Sequence, residues 1–270
     1  MKTIRFNVFM ALPLAVFTLA FLILPLSRLA LTSVAGERGF GAYAEIVTNA
    51  RYVHSFVNTV GLALLTTATT LVVSTIVAQT LANRVFPGRG VLLSLLTFPL
   101  AFPGVVVGFM VILLGGRLGV VGGFWRATFG GNLVFAYSYA GLLLGYVYFS
   151  VPRVLLTVLA AAEKLDPALV EAARSLGAGP FAIQRDVVLP ALFPAMYTSS
   201  ALCFATAMGA FGTAFTLATH FDVTPLLIYS EFTMATDAGM AAALSIVLGL
   251  VTWAALALAR LGARQAGRGA

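Results

Sequence analysis

Between Phe56 and Leu81 the chain carries no Asp, Glu, Lys or Arg, and apolar stretches of similar length recur along most of its length. A helix rises 1.5 Å per residue, so about 20 such residues cross the roughly 30 Å of hydrocarbon in a bilayer. In that solvent every backbone N–H and C=O needs an internal partner, which a helix supplies within a single segment. Composition agrees: 60% of the 270 residues are hydrophobic and 9% charged, with a mean hydropathy of +1.01, against roughly 25% charged in soluble domains. The chain is therefore expected to be an all-α integral membrane protein, one transmembrane domain over 1–270. Its six spans are expected at about 8–30, 56–81, 91–114, 133–153, 193–218 and 240–261.

The net charge of +7 could suggest nucleic acid, but Lys and Arg stand in ones and twos between the apolar runs and form no basic stripe. Their placement reads as topology. Six spans put both termini on one side, together with Lys2, Arg5, Arg84, Arg89, Arg153, Lys164, Arg174, Arg185, Arg260, Arg264 and Arg268. The other side holds Arg28, Arg38, Arg51, Arg117 and Arg126. Eleven of the 16 lie with the termini, which the positive-inside rule assigns to the cytoplasm.

The first run follows Lys2 and Arg5 and ends before Ser33-Val34-Ala35, a pattern that a secretory signal peptide shares; its length exceeds the usual signal core, and it reads as a retained span. Thr32–His54 is too polar for hydrocarbon and is expected as an amphipathic segment at the interface. The Thr-rich second span has the small and hydroxylic side chains that let helices approach and hydrogen-bond. Pro99 and Pro103 interrupt the third span, removing backbone donors, so that segment is expected to face protein or a water-lined path. The fourth span has Tyr137, Tyr139, Tyr146 and Tyr148 near its ends, as in interfacial belts. Cys203 is the single cysteine and reads as a small hydrophobe within a helix.

One polar island stands out, Asp166–Pro190. Asp166 and Pro167 start a helix, the carboxylate capping free amides and the proline taking the first helical position. Gly177 supplies a left-handed stop. Leu169, Val170, Ala173 and Leu176 share a face, while Glu171 and Arg174 fall where they can pair. Gly179-Pro180 begins a second short helix with Phe181, Ile183, Val187 and Val188, expected to stop near Leu189-Pro190. Helices this short need something to pack on.

Glu171-Ala172-Ala173, then Gly177, then Val187 and Leu189-Pro190 resemble the EAA motif of ABC importer permeases, with Val187 in place of the usual isoleucine. The six-span order and the proline-rich third span extend the resemblance over most of the chain, to the type I permeases and to their iron, polyamine, thiamine and organophosphonate group. The resemblance implies a membrane-spanning permease subunit of an ATP-driven, binding-protein-dependent solute importer, multi-pass in a bacterial inner membrane. It further implies half of a translocation pore, and a cytoplasmic coupling loop over 159–191. In it Glu171 would make the polar contact to a separate ATPase. Ala172 and Ala173 would allow close approach, Gly177 the turn, and Phe181 would fill a groove.

The partners so implied are a cytoplasmic ABC ATPase dimer, a second permease that is a copy or paralogue, a periplasmic or lipid-anchored solute-binding protein, and membrane lipid. No nucleic acid is expected. This chain would bind no cofactor and is not expected to be an enzyme, since Gly115-Gly116 and Gly122-Gly123 lack the Lys and Ser/Thr of a phosphate loop. ATP and Mg would sit on the partner ATPase. The substrate class implied is a small polar or charged solute: a polyamine, organophosphonate, ferric ion or thiamine.

Candidates for the translocation path are Pro99, Pro103, Gly104, Gly209, Phe211, Gly212, Thr213 and Thr216, although small residues there also suit tight helix packing. Asp222 and Glu231 are candidates for binding-protein contact. His54, and His220 with Asp222, are too few for a closed metal site, and no metal is expected. Trp125 and Trp253 read as interface or packing residues. An ion-gradient-driven secondary transporter would need ionisable groups deep in the spans or internal repeats, and an intramembrane hydrolase a nucleophile and base facing each other there. Neither pattern is evident.

Overall fold

The computed structural model describes residues 12–36, 38–84, 86–219 and 221–266. The sequence readings for Lys2, Arg5, His220, Arg268, the Arg264 side chain and the start of the first span lie outside these residues or their described side chains. The described residues are helical, without strands, and six stretches are long and apolar enough to cross a membrane. The helices are α1 (Leu12–Ala35), α2 (Gly41–Thr48), α3 (Ala50–Ala82), α4 (Arg89–Thr97), α5 (Gly104–Gly115) and α6 (Val120–Phe129). They continue with α7 (Tyr139–Ala162), α8 (Pro167–Ser175), α9 (Pro180–Met208), α10 (Gly212–Leu217), α11 (Thr224–Thr233) and α12 (Ala238–Ala266).

The backbone divides into two compact units, one of residues up to 54 with 227–250 and one of 55–226 with the segment from 251. The second unit holds the larger core. Ala78 and Leu81 of α3, Val154, Leu155, Val158 and Leu159 of α7, and Leu192 and Cys203 of α9 are buried against one another. Cys203 is free and buried, the small hydrophobe expected of it. Many large apolar side chains remain exposed, including Leu64, Leu65, Val72 and Ile76 of α3, as lipid-facing positions would be.

Prolines account for most departures from the expected spans. The third is not one helix over 91–114. It runs as α4, a 3-10 turn at Phe98–Ala101, and α5, because Phe102 is extended (ψ 134°) and Pro103 is extended (ψ 149°). A residue before proline is driven from the helical region, and Pro103 then caps α5. The fourth helix begins later than expected, at Tyr139, where the Ser138 hydroxyl accepts from the Gly141 amide at 3.3 Å, and continues to Ala162.

Elsewhere proline is accommodated. In α9 the expected stop at Leu189-Pro190 does not occur. Residues Gln184–Val188 widen into a π-helical turn in which the Leu189 amide bonds the Gln184 carbonyl, and the helix continues through Pro190 to Met208. The same device precedes Pro25 in α1, where Leu24 bonds Leu19. Widening the turn relieves the clash of the proline ring with the carbonyl four residues back.

Candidate functional site

The Asp166–Pro190 island is the polar element that the second unit positions. Asp166 is the N-cap of α8, its Oδ1 accepting from the Ala168 amide at 2.9 Å, and Pro167 takes the first helical position. At the other end Gly177 has φ +82°, a conformation costly to any side chain with a Cβ. The Gly177 amide bonds the Arg174 carbonyl at 2.9 Å and the Ala178 amide bonds that of Ala173 at 3.0 Å. This paired closure satisfies carbonyls that the helix end would leave orphaned. Gly179 then caps α9, with Pro180 first.

The face of α8 is divided. Val170 and Ala173 are half-buried, but Leu169 and Leu176 point outward, Leu176 being 89% exposed; Phe181, at the start of α9, is 77% exposed. Glu171 and Ala172 are exposed as well. Glu171 and Arg174 do not form the expected pair: Arg174 instead lines a cavity of about 580 Å3 under α8, with Gln79, Asn83 and Gln184. Between Val187 and Pro190 the chain is rooted, Val187 and Leu189 half-buried and Val188 against the core of α3, α7 and α9, whereas Pro190 is exposed.

Two side-chain ties join this region to distant sequence. Gln184 Nε2 donates to Gln79 Oε1 at 2.8 Å, and Arg89 pairs with Glu163 while donating to the Leu81 carbonyl at 3.1 Å. Sequence reasoning missed both, since their partners stand far apart along the chain and no local pattern marks them.

Of the path candidates, Gly104, Gly212, Thr213 and Thr216 meet where α5 packs on α10. The hydroxyl of Thr213 donates to the Gly104 carbonyl at 3.0 Å, and Tyr146 OH to that of Ala210 at 2.6 Å. The second bond satisfies a carbonyl freed by the break at Gly209–Phe211, and the first ties α10 to the start of α5. A Cβ at Gly212 would lie 2.9 Å from the Val105 amide nitrogen, and one at Gly108 would fall on Thr216 Oγ1. Pro99 and Thr213 are buried, Gly104, Phe211, Gly212 and Thr216 half-buried, Pro103 and Gly209 exposed. Close packing of α5 on α10 is thus what the small residues do here. In α3, Thr59 hydrogen-bonds across to Thr224 at 3.1 Å as the Thr-rich sequence predicts, but the buried hydroxyls of Thr66, Thr70 and Thr75 have no partner among the described residues.

The first unit carries an ion-pair network. Arg38 reaches Glu45 at 3.1 Å and Asp237 at 3.4 Å, beside a cavity of about 600 Å3. Partial burial works against charge on Arg38, but Glu45, a hydrogen bond with Tyr52 and Asp237 outweigh it and raise its pKa above the ordinary arginine value. Glu231 is 7% exposed, accepts from Tyr52 OH at 3.3 Å and lies 3.7 Å from Arg51. Its carboxylate is committed inside the protein, contrary to the expectation that it meets a partner. In the second unit Asp222 is half-buried, and its carbonyl accepts from Asn58 Nδ2 at 3.0 Å. Among the described residues no His, Cys, Asp and Glu group could hold a metal ion.

Residues 70–266 match the family model described as binding-protein-dependent transport system inner membrane component. A protein of Salmonella typhi described as a 2-aminoethylphosphonate transport system permease, PhnU, is 30% identical over 245 residues, covering 87% of this chain and 85% of that one. The sulfate transport system permease protein CysT of Salmonella typhimurium is 32% identical, covering 79% and 76%. The molybdenum transport system permease protein ModB of Escherichia coli is 34% identical over 143 residues, covering 53% and 62%. In fold, the chain superposes on a bacterial alginate ABC transporter, crystallised with an alginate-bound periplasmic protein, with a TM-score of 0.85 at 18% identity over 98% of this chain and 96% of that one.

Proposed function

This chain belongs to the binding-protein-dependent transport system inner membrane component family, and from that premise we propose that Asp166–Pro190 is the surface through which a separate ATPase drives it. As a family member it is a multi-pass membrane permease subunit of an ABC importer, a transport component and not an enzyme.

One observation supports the coupling assignment most directly. Leu176 and Phe181 are 89% and 77% exposed on either side of the Gly177 turn, an apolar pair that water does not favour and a partner's groove would cover. Glu171 stands exposed beside them for a polar contact, and the π turn and Val188 root the lever in the core. Movement of an ATPase against α8 would pass into α9 as one body. In this reading ATP and Mg reside on a cytoplasmic ATPase dimer. The chain forms half of a pore with a second permease, a copy or a paralogue, in a bacterial inner membrane with both termini cytoplasmic. A periplasmic or lipid-anchored solute-binding protein delivers substrate to the outer side.

The relatives' names concern 2-aminoethylphosphonate, sulfate and molybdenum. From the first two, which share a tetrahedral oxyanion head, we infer an oxyanion substrate, an organophosphonate among those the motif resemblance implies.

The test is uptake and binding-protein-stimulated ATPase activity of the assembled transporter carrying Glu171→Lys or Gly177→Pro. Both activities are expected to fall to background while the permease still inserts. Normal transport in these variants would sink the assignment, and uptake that continues without ATP would favour an ion-gradient mechanism.

A further inference from the structure

We propose that the cavity beneath α8 is an effector site for a small organic anion, which on binding ties the lever to the membrane domain and slows the transporter. The consequence for transport rests on the coupling assignment above. The binding itself does not.

The cavity measures about 580 Å3 and is walled by Gln79 of α3, by Val170 and Arg174 of α8, and by Ile183, Gln184 and Val188 of α9. Pockets that hold small organic ligands run from about 300 to 1,000 Å3, with mostly apolar walls and a few polar groups that fix orientation. Val170, Ile183 and Val188 supply the apolar wall. Leu176 and Phe181 do not line it, so this surface is distinct from the apolar pair assigned to the ATPase.

Its polar groups are left incomplete in a way that an anion completes. Gln184 Nε2 donates to Gln79 Oε1 at 2.8 Å, which leaves Gln79 Nε2 buried and without a partner among the described residues. A buried donor left unpaired is costly. Arg174 has no ion pair among the described residues, and no Asp or Glu lines the cavity. The neighbouring carboxylates are committed elsewhere: Glu163 to Arg89, Asp186 to Arg185, and Asp166 to the Ala168 amide. Water satisfies an amide but brings no charge to a guanidinium. A carboxylate or phosphonate head answers both, matching the planar fork of arginine, and a short hydrocarbon body fits the apolar wall.

Such an occupant touches α8 and α9 on one side and α3 on the other. The lever then moves against α3 only by breaking those contacts, so the bound anion favours the arrangement seen here.

A phosphate of a lipid headgroup shares this chemistry, and the experiment separates the two sources. The full-length protein in phosphatidylcholine nanodiscs is titrated with propylphosphonate, followed by broadening of the phosphonate 31P line. Saturable broadening is expected with the wild type, with affinity about tenfold or more weaker in Arg174→Gln. It should be unchanged in Arg185→Gln, whose guanidinium is held by Asp186 and does not line the cavity. Gln79→Glu, which sets a negative charge against the anion, should also weaken binding and serves if Arg174→Gln does not fold. Inorganic phosphate, lacking the apolar body, should bind several-fold more weakly; equal affinity would overturn the organic character of the ligand. In phosphatidylglycerol nanodiscs the wild type should still bind propylphosphonate. Binding abolished by that lipid would assign the cavity to headgroups, and absent saturation or equal binding by the wild type and both cavity variants would likewise overturn the proposal. In the assembled transporter, propylphosphonate at concentrations that fill the site should slow binding-protein-stimulated ATPase activity; binding without slowing would remove the effector role. The nanodisc titration involves no ATPase, so its failure leaves the coupling assignment standing, and failure of the Glu171 test leaves the titration valid.

Discussion

The Asp166–Pro190 lever and the Arg38–Arg51 region with Glu231 and Asp237 both look like docking surfaces in sequence, because each is a polar interruption among apolar runs. Their side chains are used in opposite ways. The lever turns Leu176 and Phe181 into solvent and leaves Glu171 exposed, without an ion pair among the described residues. The other region ties its charges to one another: Arg38 holds Glu45 and Asp237, and Glu231 is buried on Tyr52 and near Arg51. Carboxylates in a polar interruption are thus poor markers of a partner surface when cations stand near enough to absorb them. Apolar side chains that the fold declines to bury are better markers, since their exposure is unfavourable until something covers it.

The sharpest way to break this contrast is Glu231→Lys. If Glu231 is an internal tie, reversal should destabilise the protein by about 3 kcal/mol, read as a lowered unfolding temperature in detergent; a stable variant with impaired binding-protein response would return Glu231 to the surface role. On the lever the expected pattern is inverted. Leu176→Ala with Phe181→Ala should leave the unfolding temperature unchanged and weaken ATPase binding by about 2 kcal/mol, roughly thirtyfold, in a pull-down titration of the purified subunits.

Asp166→Ala probes the lever's own folding. Loss of the cap to Ala168 should cost about 1 kcal/mol and appear as faster amide exchange confined to α8; unchanged exchange would show that the helix is held by its packing alone. The smallest effect belongs to Arg38→Gln. Its guanidinium is half-exposed, so removing it should cost only about 0.5 kcal/mol, with Glu45→Gln no more damaging. A loss as large as that of Glu231→Lys would make the whole Arg38 network a structural keystone.

Much of the lever was legible in its sequence because its rules are local. Asp166-Pro167 starts α8 and Gly177 ends it with a left-handed turn, as propensity alone requires. Pro103 breaks the third span for an equally local reason. Pro190 misled: proline ordinarily stops a helix, but a single π turn at Gln184–Val188 absorbs it and joins the lever to α9. Nothing in the residues between Gln184 and Pro190 announces that choice. Glu171 and Arg174 are spaced to pair and do not, Arg174 lining the cavity under α8 instead.

The sequence by itself determined that this chain is a helical membrane protein, where its polar lever starts and turns, and which family it resembles, because hydrocarbon length, proline and glycine act through a few adjacent residues. Tertiary structure alone decided which polar groups are spent inside. Gln79 meets Gln184, Tyr146 meets the Ala210 carbonyl, and Tyr52 meets Glu231, although each pair is widely separated along the chain. Such pairings follow from helix packing, where buried groups must find partners or forfeit their solvation. The same packing leaves Leu176 and Phe181 exposed.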